Sequence, residues 1–300
     1  MTPPTEPTTP ATATGAEDGT GASGPRLAVT GATGALGGAV ARTLAAEGVP
    51  LRLVVRDASR APALPGADVA VADYADRAAA VEALRGVDVL FMVSAAEAED
   101  RLDQHRTFVD AAAEAGVGHV VYTSFQGASP DSVFTLGRDH AATERHVREA
   151  GLCHTFLRDS FYLDSLVAFA DEDGVLRGPA GEGRVAAVAR EDVAAVAAAV
   201  LRAPEAHRDA TYDVTGGEAL TLAELAARLT AATGRPHSFV DETVDEAYAS
   251  RQRWQPEPWQ ADAWVSTYTA VASGEVAAVS TTVRDLTGRE PLTLEELLAR

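Results

Sequence analysis

The sequence predicts an α/β protein with a parallel central sheet, helices on both faces of that sheet, and a smaller C-terminal part. From residue 25 onward, short aliphatic and β-branched runs alternate with longer alanine-rich segments of helical period. The short runs are continuously apolar, as expected of parallel strands that are buried on both faces. We therefore expect a doubly wound sheet.

Six strands are predicted in the first half of the chain, at residues 26–30, 51–55, 67–72, 87–93, 118–123 and 152–157. Segments of helical period lie between most of them, at residues 35–48, 76–86, 98–116 and 138–151. Each of these four segments ends at glycine, which commonly follows the last turn of a helix. Residues 184–201 are predicted to be a strand and a helix that return to the larger part, with Asp192 in the helix's first turn.

The composition restricts the possible partners. The chain has 300 residues, a formal net charge of −19 and an isoelectric point near 4.7. Such a charge repels nucleic acid and anionic membrane surfaces. The single cysteine, Cys153, cannot form an intramolecular disulfide, and no His/Cys cluster has zinc spacing. We expect a cytoplasmic protein without a metal, nucleic-acid or membrane partner, whose oligomeric state the sequence does not indicate.

A glycine-rich stretch, TGATGALGG at residues 30–38, lies where the first predicted strand turns into the first helix. Its three spaced glycines would permit a tight turn, a close approach of the backbone to a pyrophosphate, and close packing of helix against strand. The amides at the helix start would then bind the phosphates. The predicted phosphate-binding residues are Gly31, Thr33, Gly34, Ala35, Leu36 and Gly37. An ordinary tight turn is the alternative.

This stretch resembles the cofactor-binding turn of the short-chain dehydrogenase/reductase superfamily, although its first gap is one residue longer than in G-x-G-x-x-G. The chain as a whole, from about Arg26, resembles the NmrA-like branch and especially its NADPH:quinone oxidoreductases. Similar segments include VVYTSFQGA, HAATERHVREAGLCHTFLRDSFY, VAREDVAAVAAAVL and LTGREPLTLEELL. The resemblance implies a Rossmann-like domain that binds NADP(H) and a smaller C-terminal substrate-binding part.

Three regions follow from these observations. Residues 1–24, rich in Pro, Thr, Gly and Ala, are predicted to be a disordered tail. Residues 25–160 are predicted to be the NADP-binding domain, and residues 161–300 the substrate-binding part.

The end of the second strand indicates which nicotinamide cofactor is preferred. An arginine there suits the 2′-phosphate of NADPH, whereas an acidic residue suits the free ribose of NADH. The chain has Arg56 at this point, which favours NADPH, and the adjacent Asp57 leaves NADH as the less favoured alternative. The resemblance also implies that Asp73 contacts the adenine, although a turn or helix-cap role is almost equally expected.

The catalytic pair of the superfamily is absent. Most active members use Tyr-x-x-x-Lys, but this chain contains no lysine. Counting back from Glu144, which matches the usual glutamate, places His140 at the lysine position and Leu136 at the tyrosine position. His140, with an ordinary pKa near 6.5, is a candidate proton donor. A histidine on the helix surface is the alternative.

Polar residues follow the fourth and fifth predicted strands, at the sheet edge where such proteins bind ligands. Tyr122, Thr123 and Ser94 are predicted to lie near the cofactor. Ser124 matches the catalytic serine of the superfamily and could polarise a carbonyl, or it could satisfy a strand-end amide.

Two aromatic segments are candidates for the substrate cleft. Phe161 and Tyr162 resemble the aromatic wall of the cleft in the family, and core packing is the alternative. Trp254, Trp259 and Trp264 lie beside prolines in a segment that would form either a lid over an aromatic substrate or the packing of a small domain.

Two functions are consistent with these residues. The first is an NADPH-dependent reductase that transfers hydride to a quinone or aromatic ketone mainly by positioning the two reactants. The second is a redox sensor that binds NADP(H) without turnover and acts through a protein partner. Loss of the Tyr-x-x-x-Lys pair is compatible with both, because quinones need little acid catalysis.

Overall fold

A seven-stranded parallel sheet forms the centre of the molecule in the computed structural model, which describes residues 26–300. The predicted tail, residues 1–24, lies outside the described residues. The strands are β1 (Leu27–Thr30), β2 (Leu51–Val55), β3 (Ala67–Val71), β4 (Val89–Met92), β5 (His119–Phe125) and β6 (Cys153–Asp159), with β9 (Ala210–Val214) at the edge. Their order is β3-β2-β1-β4-β5-β6-β9, and every neighbouring pair is parallel. The predicted doubly wound α/β fold is confirmed.

Helices cover both faces of this sheet. They are α1 (Ala35–Ala46), α2 (Arg77–Leu84), α3 (Arg101–Ala115), α4 (Thr135–Glu149) and α6 (Arg190–Arg202), whereas α5 (Leu163–Ala168) packs in the core of a smaller C-terminal layer. Apolar residues of α1 and α6 pack on one face, and those of α2 and α3, with Val147 of α4, pack on the other. No helix within residues 26–300 is long and apolar enough to cross a membrane.

A smaller layer covers one end of the sheet. Its strands are β7 (Val175–Gly178), β8 (Arg184–Val185), β10 (Leu220–Thr221) and β11 (Ser238–Asp241), and its helices are α7 (Leu222–Thr233), α8 (Val244–Arg251), α9 (Pro258–Ser273) and α11 (Leu294–Leu298). The short helix α10 (Thr282–Thr287) packs on α6 beside the large sheet instead. β7 pairs with β11 in parallel, and β8 pairs with β10 antiparallel. The segment 184–201 therefore divides: β8 belongs to the small layer, whereas α6 packs on α1.

The topology creates a cleft at the carboxyl ends of β1 and β4. The chain runs outward from β1 to β2 and β3, then crosses to β4 on the other side of β1, and ligands of such sheets bind at this reversal. Arg202 of α6 pairs with Glu47, the residue after α1, with an Nε to Oε2 distance of 2.8 Å. This ion pair joins the C-terminal ends of α1 and α6, which pack on the same face of the sheet.

Candidate active site

The glycine turn between β1 and α1 has the geometry that close packing demands. Gly31 has a φ of +64°, a conformation that side chains disfavour, and its carbonyl accepts a hydrogen bond from the Gly34 amide at 2.9 Å. A Cβ atom on Gly37 would lie 2.5 Å from the carbonyl oxygens of both Gly31 and Thr30. Glycine is therefore required at residue 37 for α1 to rest against β1.

The start of α1 is open to an anion. No side chain caps this helix, and its first turn contains no acidic residue. Thr33, Gly34 and Ala35 are exposed, whereas the side chain of Leu36 is buried in the core. Leu36 can thus contribute only its backbone. Uncapped amides at an exposed helix N-terminus fit a pyrophosphate group without any change in the fold.

Arg56 follows β2 directly and is exposed. None of the ion pairs among residues 26–300 involves Arg56, Arg42 or Arg60, although most arginines of this acidic chain are paired. An unpaired guanidinium at the end of β2 suits a phosphate dianion.

The two neighbouring acids make local turns. One carboxylate oxygen of Asp57 accepts hydrogen bonds from the Ser59 amide at 2.9 Å and from its hydroxyl at 2.7 Å. These bonds hold the pKa of Asp57 below its usual value. Asp73 is exposed, and its carboxylate accepts a hydrogen bond from the Ala75 amide at 2.9 Å. This bond fits the turn role that the sequence offered as the alternative to an adenine contact.

Ser94 and Thr123 join the ends of β4 and β5. The Ser94 amide donates to the buried Thr123 hydroxyl at 2.8 Å, and Ser94 itself is half-buried. The loop after β4 is therefore held against β5 on the side of the sheet that carries α1.

Tyr122 and His140 form part of a buried polar network on the opposite face. The Tyr122 hydroxyl lies 2.9 Å from His140 Nδ1, and His140 Nε2 lies 3.0 Å from an Arg101 guanidinium nitrogen. Both Arg101 and His140 are buried, and Tyr122 is fully inaccessible. Tyr122 is predicted to lie near the cofactor, but its ring fills the core against α3 and α4, so its side chain is not open to a ligand.

The expectations for His140 are corrected in the same way. His140 is neither a surface residue nor a group of ordinary pKa, because burial and the neighbouring Arg101 hold its pKa well below 6.5. Near neutral pH the buried imidazole is therefore neutral, and it has no imidazolium proton to donate. Its contacts indicate a structural task.

The same network supports the loop after β4. Arg101 Nε donates to the Ala95 carbonyl at 3.0 Å, and the Ala95 amide donates to His105 Nε2 at 2.9 Å. Sequence reasoning missed Arg101 and His105, and their spacing of four residues, on one face of α3, is the signal that could have found them.

The Ser124 hydroxyl also forms a buried hydrogen bond within the protein. The Ser124 side chain is inaccessible, and its hydroxyl donates to Glu144 Oε1 at 2.6 Å, while Arg158 pairs with the same carboxylate at 2.7 Å. The expectation that Ser124 polarises a substrate carbonyl is corrected, because the hydroxyl serves a buried ion pair between α4 and β6. It does not satisfy a strand-end amide either.

Phe161 lies in a cluster of three phenylalanines beyond β5 and β6. Its ring centroid is 4.9 Å from that of Phe125 and 5.2 Å from that of Phe134. Leu136, at the position where the superfamily has its tyrosine, packs on the same core. The cluster is apolar, so it offers a substrate contact area but no proton.

Tyr162, one residue further, has a polar partner. Its hydroxyl donates a short hydrogen bond to Asp159 Oδ2, and the Arg190 guanidinium lies 4.8 Å from the centre of its ring. Burial raises the pKa of Asp159 to about 7. Sequence reasoning missed Asp159, whose signal was an acidic residue two positions after the apolar pair Phe156 and Leu157.

The tryptophan segment borders a cavity of about 420 Å³. Aromatic side chains of Phe169, Trp254, Trp264 and Tyr268 line it, and Glu97 enters from the loop after β4. The Trp264 indole donates to Glu97 at 3.3 Å, so the small layer and the β4 loop meet here. Trp254 is 55% exposed, which leaves a large aromatic face available to a ligand.

The glycine turn, the open start of α1 and the reversal between β1 and β4 define a dinucleotide-binding α/β protein. The chain belongs to the NmrA-like family, whose model matches residues 24–250.

Comparisons with individual proteins agree. The chain is 34% identical to an NAD(P)H azoreductase of Xenophilus azovorans, across 90% of this chain and 96% of the relative. It is 35% identical to quinone oxidoreductase 2 of Escherichia coli, across 90% and 96%. The structure of that oxidoreductase with NADPH has a TM-score of 0.84, with 91% of this chain and 98% of the other covered. Triphenylmethane reductase of a Citrobacter species, in complex with NADP(H), has a TM-score of 0.80 at 30% identity, with 91% and 99% covered.

Proposed function

We propose that this protein is an NADPH-dependent reductase that transfers hydride to a quinone or an aromatic carbonyl compound. The observation that carries the proposal is the exposed, uncapped start of α1 behind the glycine turn, with the unpaired Arg56 beside it at the end of β2. The relatives named above are reductases of conjugated acceptors, which supports this reaction class.

The residues that would hold the dinucleotide fall into two groups. The amides of Thr33 to Leu36 would bind the pyrophosphate, and Arg56 would bind the 2′-phosphate. Ser94 and Thr123 would lie under the nicotinamide half, because they lie near the carboxyl ends of β4 and β5, the two strands that follow β1 on one side of the sheet. The cofactor supplies the hydride, and the protein orients the acceptor.

The acceptor would enter through the aromatic cavity. Flat conjugated molecules stack well on Trp254 and Phe169, and the cavity volume suits a molecule of two or three fused rings. The buried network of Arg101 and His140 would act indirectly, by keeping the Ser94 loop in place.

The test is oxidation of NADPH by the purified protein in the presence of a quinone, an aromatic ketone or an azo dye. We expect turnover with at least the quinone, followed at the nicotinamide absorbance band. The variant Gly34→Val should show neither binding nor turnover. Tight binding of NADPH without turnover of any acceptor would contradict the reductase and favour the redox sensor.

A further inference from the structure

The pair formed by Asp159 and Tyr162, here called the Asp–Tyr pair, has a position that the reductase reaction can use. Asp159 is the last residue of β6, where its carbonyl accepts from the Gln126 amide at 2.9 Å. Tyr162 bridges to Val188, just before α6. Both residues therefore lie at the carboxyl edge of the sheet, beside the N-terminal end of α6.

The pair also lies on the correct face of the sheet. Side chains alternate along a strand, and Asp159 is two residues from Leu157, which packs with α1 and α6. Tyr162 packs on the same core, together with Val93. A Cβ atom on Gly31 would contact the Val93 side chain at 3.2 Å, so the glycine turn also borders this core.

The two members differ in access. Asp159 is only 6% exposed, whereas Tyr162 is partly exposed. The charged groups that face the pair are Arg190 from α6 and Asp164 from α5. Arg190 is held in place by a hydrogen bond to the Ser165 hydroxyl at 2.5 Å. Tyr162 is therefore partly open to solvent, whereas the Asp159 carboxyl group behind it is enclosed.

We propose that the Asp–Tyr pair supplies the proton in carbonyl reduction, with Tyr162 as the donor to the substrate oxygen and Asp159 as the group that reprotonates it. This role rests on the proposed reductase function. It would replace the missing Tyr-x-x-x-Lys pair, since Ser124 and His140 are both committed to buried contacts.

The step balances in atoms and charge. The carbonyl carbon gains a hydride with its electron pair, the C=O π pair moves onto oxygen, and that oxygen takes the Tyr162 phenol proton. The phenolate oxygen takes the proton of the Asp159 carboxyl group, and solvent reprotonates the carboxylate after product leaves. Because burial raises the pKa of Asp159 to about 7, a useful fraction is protonated at neutral pH.

An acceptor that needs no proton gives the sharpest test. A cationic triphenylmethane dye takes a hydride at its central carbon and becomes neutral, whereas an aromatic ketone needs both a hydride and a proton. We expect Tyr162→Phe and Asp159→Asn to lower ketone turnover by about 10²- to 10⁴-fold, the usual contribution of general acid catalysis. Dye turnover and the NADPH dissociation constant should change by no more than about twofold.

The matched control is Tyr248→Phe. Tyr248 also donates to a carboxylate, Asp262, at 2.8 Å, but on α8, and its loss should leave both rates unchanged. With the ketone, the wild-type rate should fall as pH rises through about 7, and the Asp159→Asn rate should not.

Equal losses on ketone and dye would mean that the pair only supports the fold, and an unchanged ketone rate would mean that it gives no proton; either result overturns the proposal. Absence of all turnover by the wild-type protein would instead overturn the reductase function itself, and the role of the pair with it.

Discussion

Within residues 26–300, Arg56 is one of a few arginines without an acidic partner, and it is exposed at the end of β2. In a chain of net charge −19, such an unpaired arginine would suit an anion such as the 2′-phosphate of NADPH. Asp57, which could have selected NADH, is engaged with Ser59 instead.

We predict that Arg56→Ala weakens NADPH binding by about ten- to a hundredfold and leaves NADH binding nearly unchanged. A charge-assisted hydrogen bond contributes roughly 1.5 to 3 kcal/mol. NADH has no 2′-phosphate, so it does not form this bond and its affinity should not change. Calorimetric titration with both cofactors measures the effect. The control is Arg26→Ala, which removes an exposed arginine at the amino-terminal end of β1, far from the carboxyl ends of the strands. Equal weakening of NADPH and NADH binding by Arg56→Ala would contradict the assignment.

Asp159 should give the stability of the protein a specific pH dependence. Its pKa is raised to about 7 in the fold and is about 3.9 in an unfolded chain. A carboxyl group with a raised pKa stabilises the fold while it is neutral, and this contribution is lost as pH rises from the unfolded value through the folded one.

We therefore predict that, relative to Asp159→Asn, the wild-type protein loses about 3 kcal/mol of unfolding free energy between pH 5 and pH 8, at roughly 1.4 kcal/mol per pH unit. Other buried groups, including His105 and His140, are the same in both proteins and cancel. Urea unfolding at several pH values measures the difference. Asp262→Asn, at an exposed site, is the control, and a difference independent of pH would show that Asp159 is not perturbed.

At the scale of elements, the turn between β1 and α1 contains two glycines with different tasks. Gly37 has no space for a side chain, because β1 and the turn pass directly beneath it. Gly34 has only the Gly31 carbonyl, 3.3 Å from its Cβ position, and otherwise faces solvent.

We predict that Gly34→Val abolishes NADPH binding in a folded protein, whereas Gly37→Val destabilises the fold by about 1 to 3 kcal/mol or more, as overpacked sites do. Thermal unfolding and calorimetric titration of the two variants distinguish the tasks. Normal NADPH affinity of folded Gly34→Val would show that the turn does not bind the phosphates.

At the scale of the whole molecule, a buried carboxylate on α6 helps to hold the C-terminal segment in place. Asp192, in the first turn of α6, is fully buried and accepts from the Leu292 amide at 2.8 Å; it also pairs with Arg289. The contact joins parts of the chain that are 100 residues apart. Asp192 therefore does more than place a favourable charge at the start of α6: it also binds the C-terminal segment.

We predict that Asp192→Ala costs roughly 2 to 4 kcal/mol, because the Leu292 amide is left buried and unpaired and a charged hydrogen bond is lost. Glu191→Ala, which removes the exposed neighbouring acid that pairs with Arg300, should cost less than about 0.5 kcal/mol. Denaturant unfolding compares the two. Similar losses in both variants would contradict the anchoring role.

The strands of the first half of the chain, the helices and the glycine turn could be predicted because each depends on local patterns: apolar runs, helical period and the conformational needs of glycine. Arg56 could be predicted because it directly follows a strand. The roles of Ser124, His140 and Tyr122 could not, since a sequence position does not show on which face of a strand or helix a side chain lies, or what it meets there.

Tertiary contacts decided those roles. Glu144 and Arg158 bring a buried ion pair to Ser124, and Arg101 reaches His140 from a different helix. Asp159 and Tyr162 are near in sequence, yet their importance depends on burial and on Arg190, which α6 brings from 28 residues beyond Tyr162. Local pattern thus specifies the scaffold, while the electrostatics of the site arise only when distant elements exclude water around the same few polar groups.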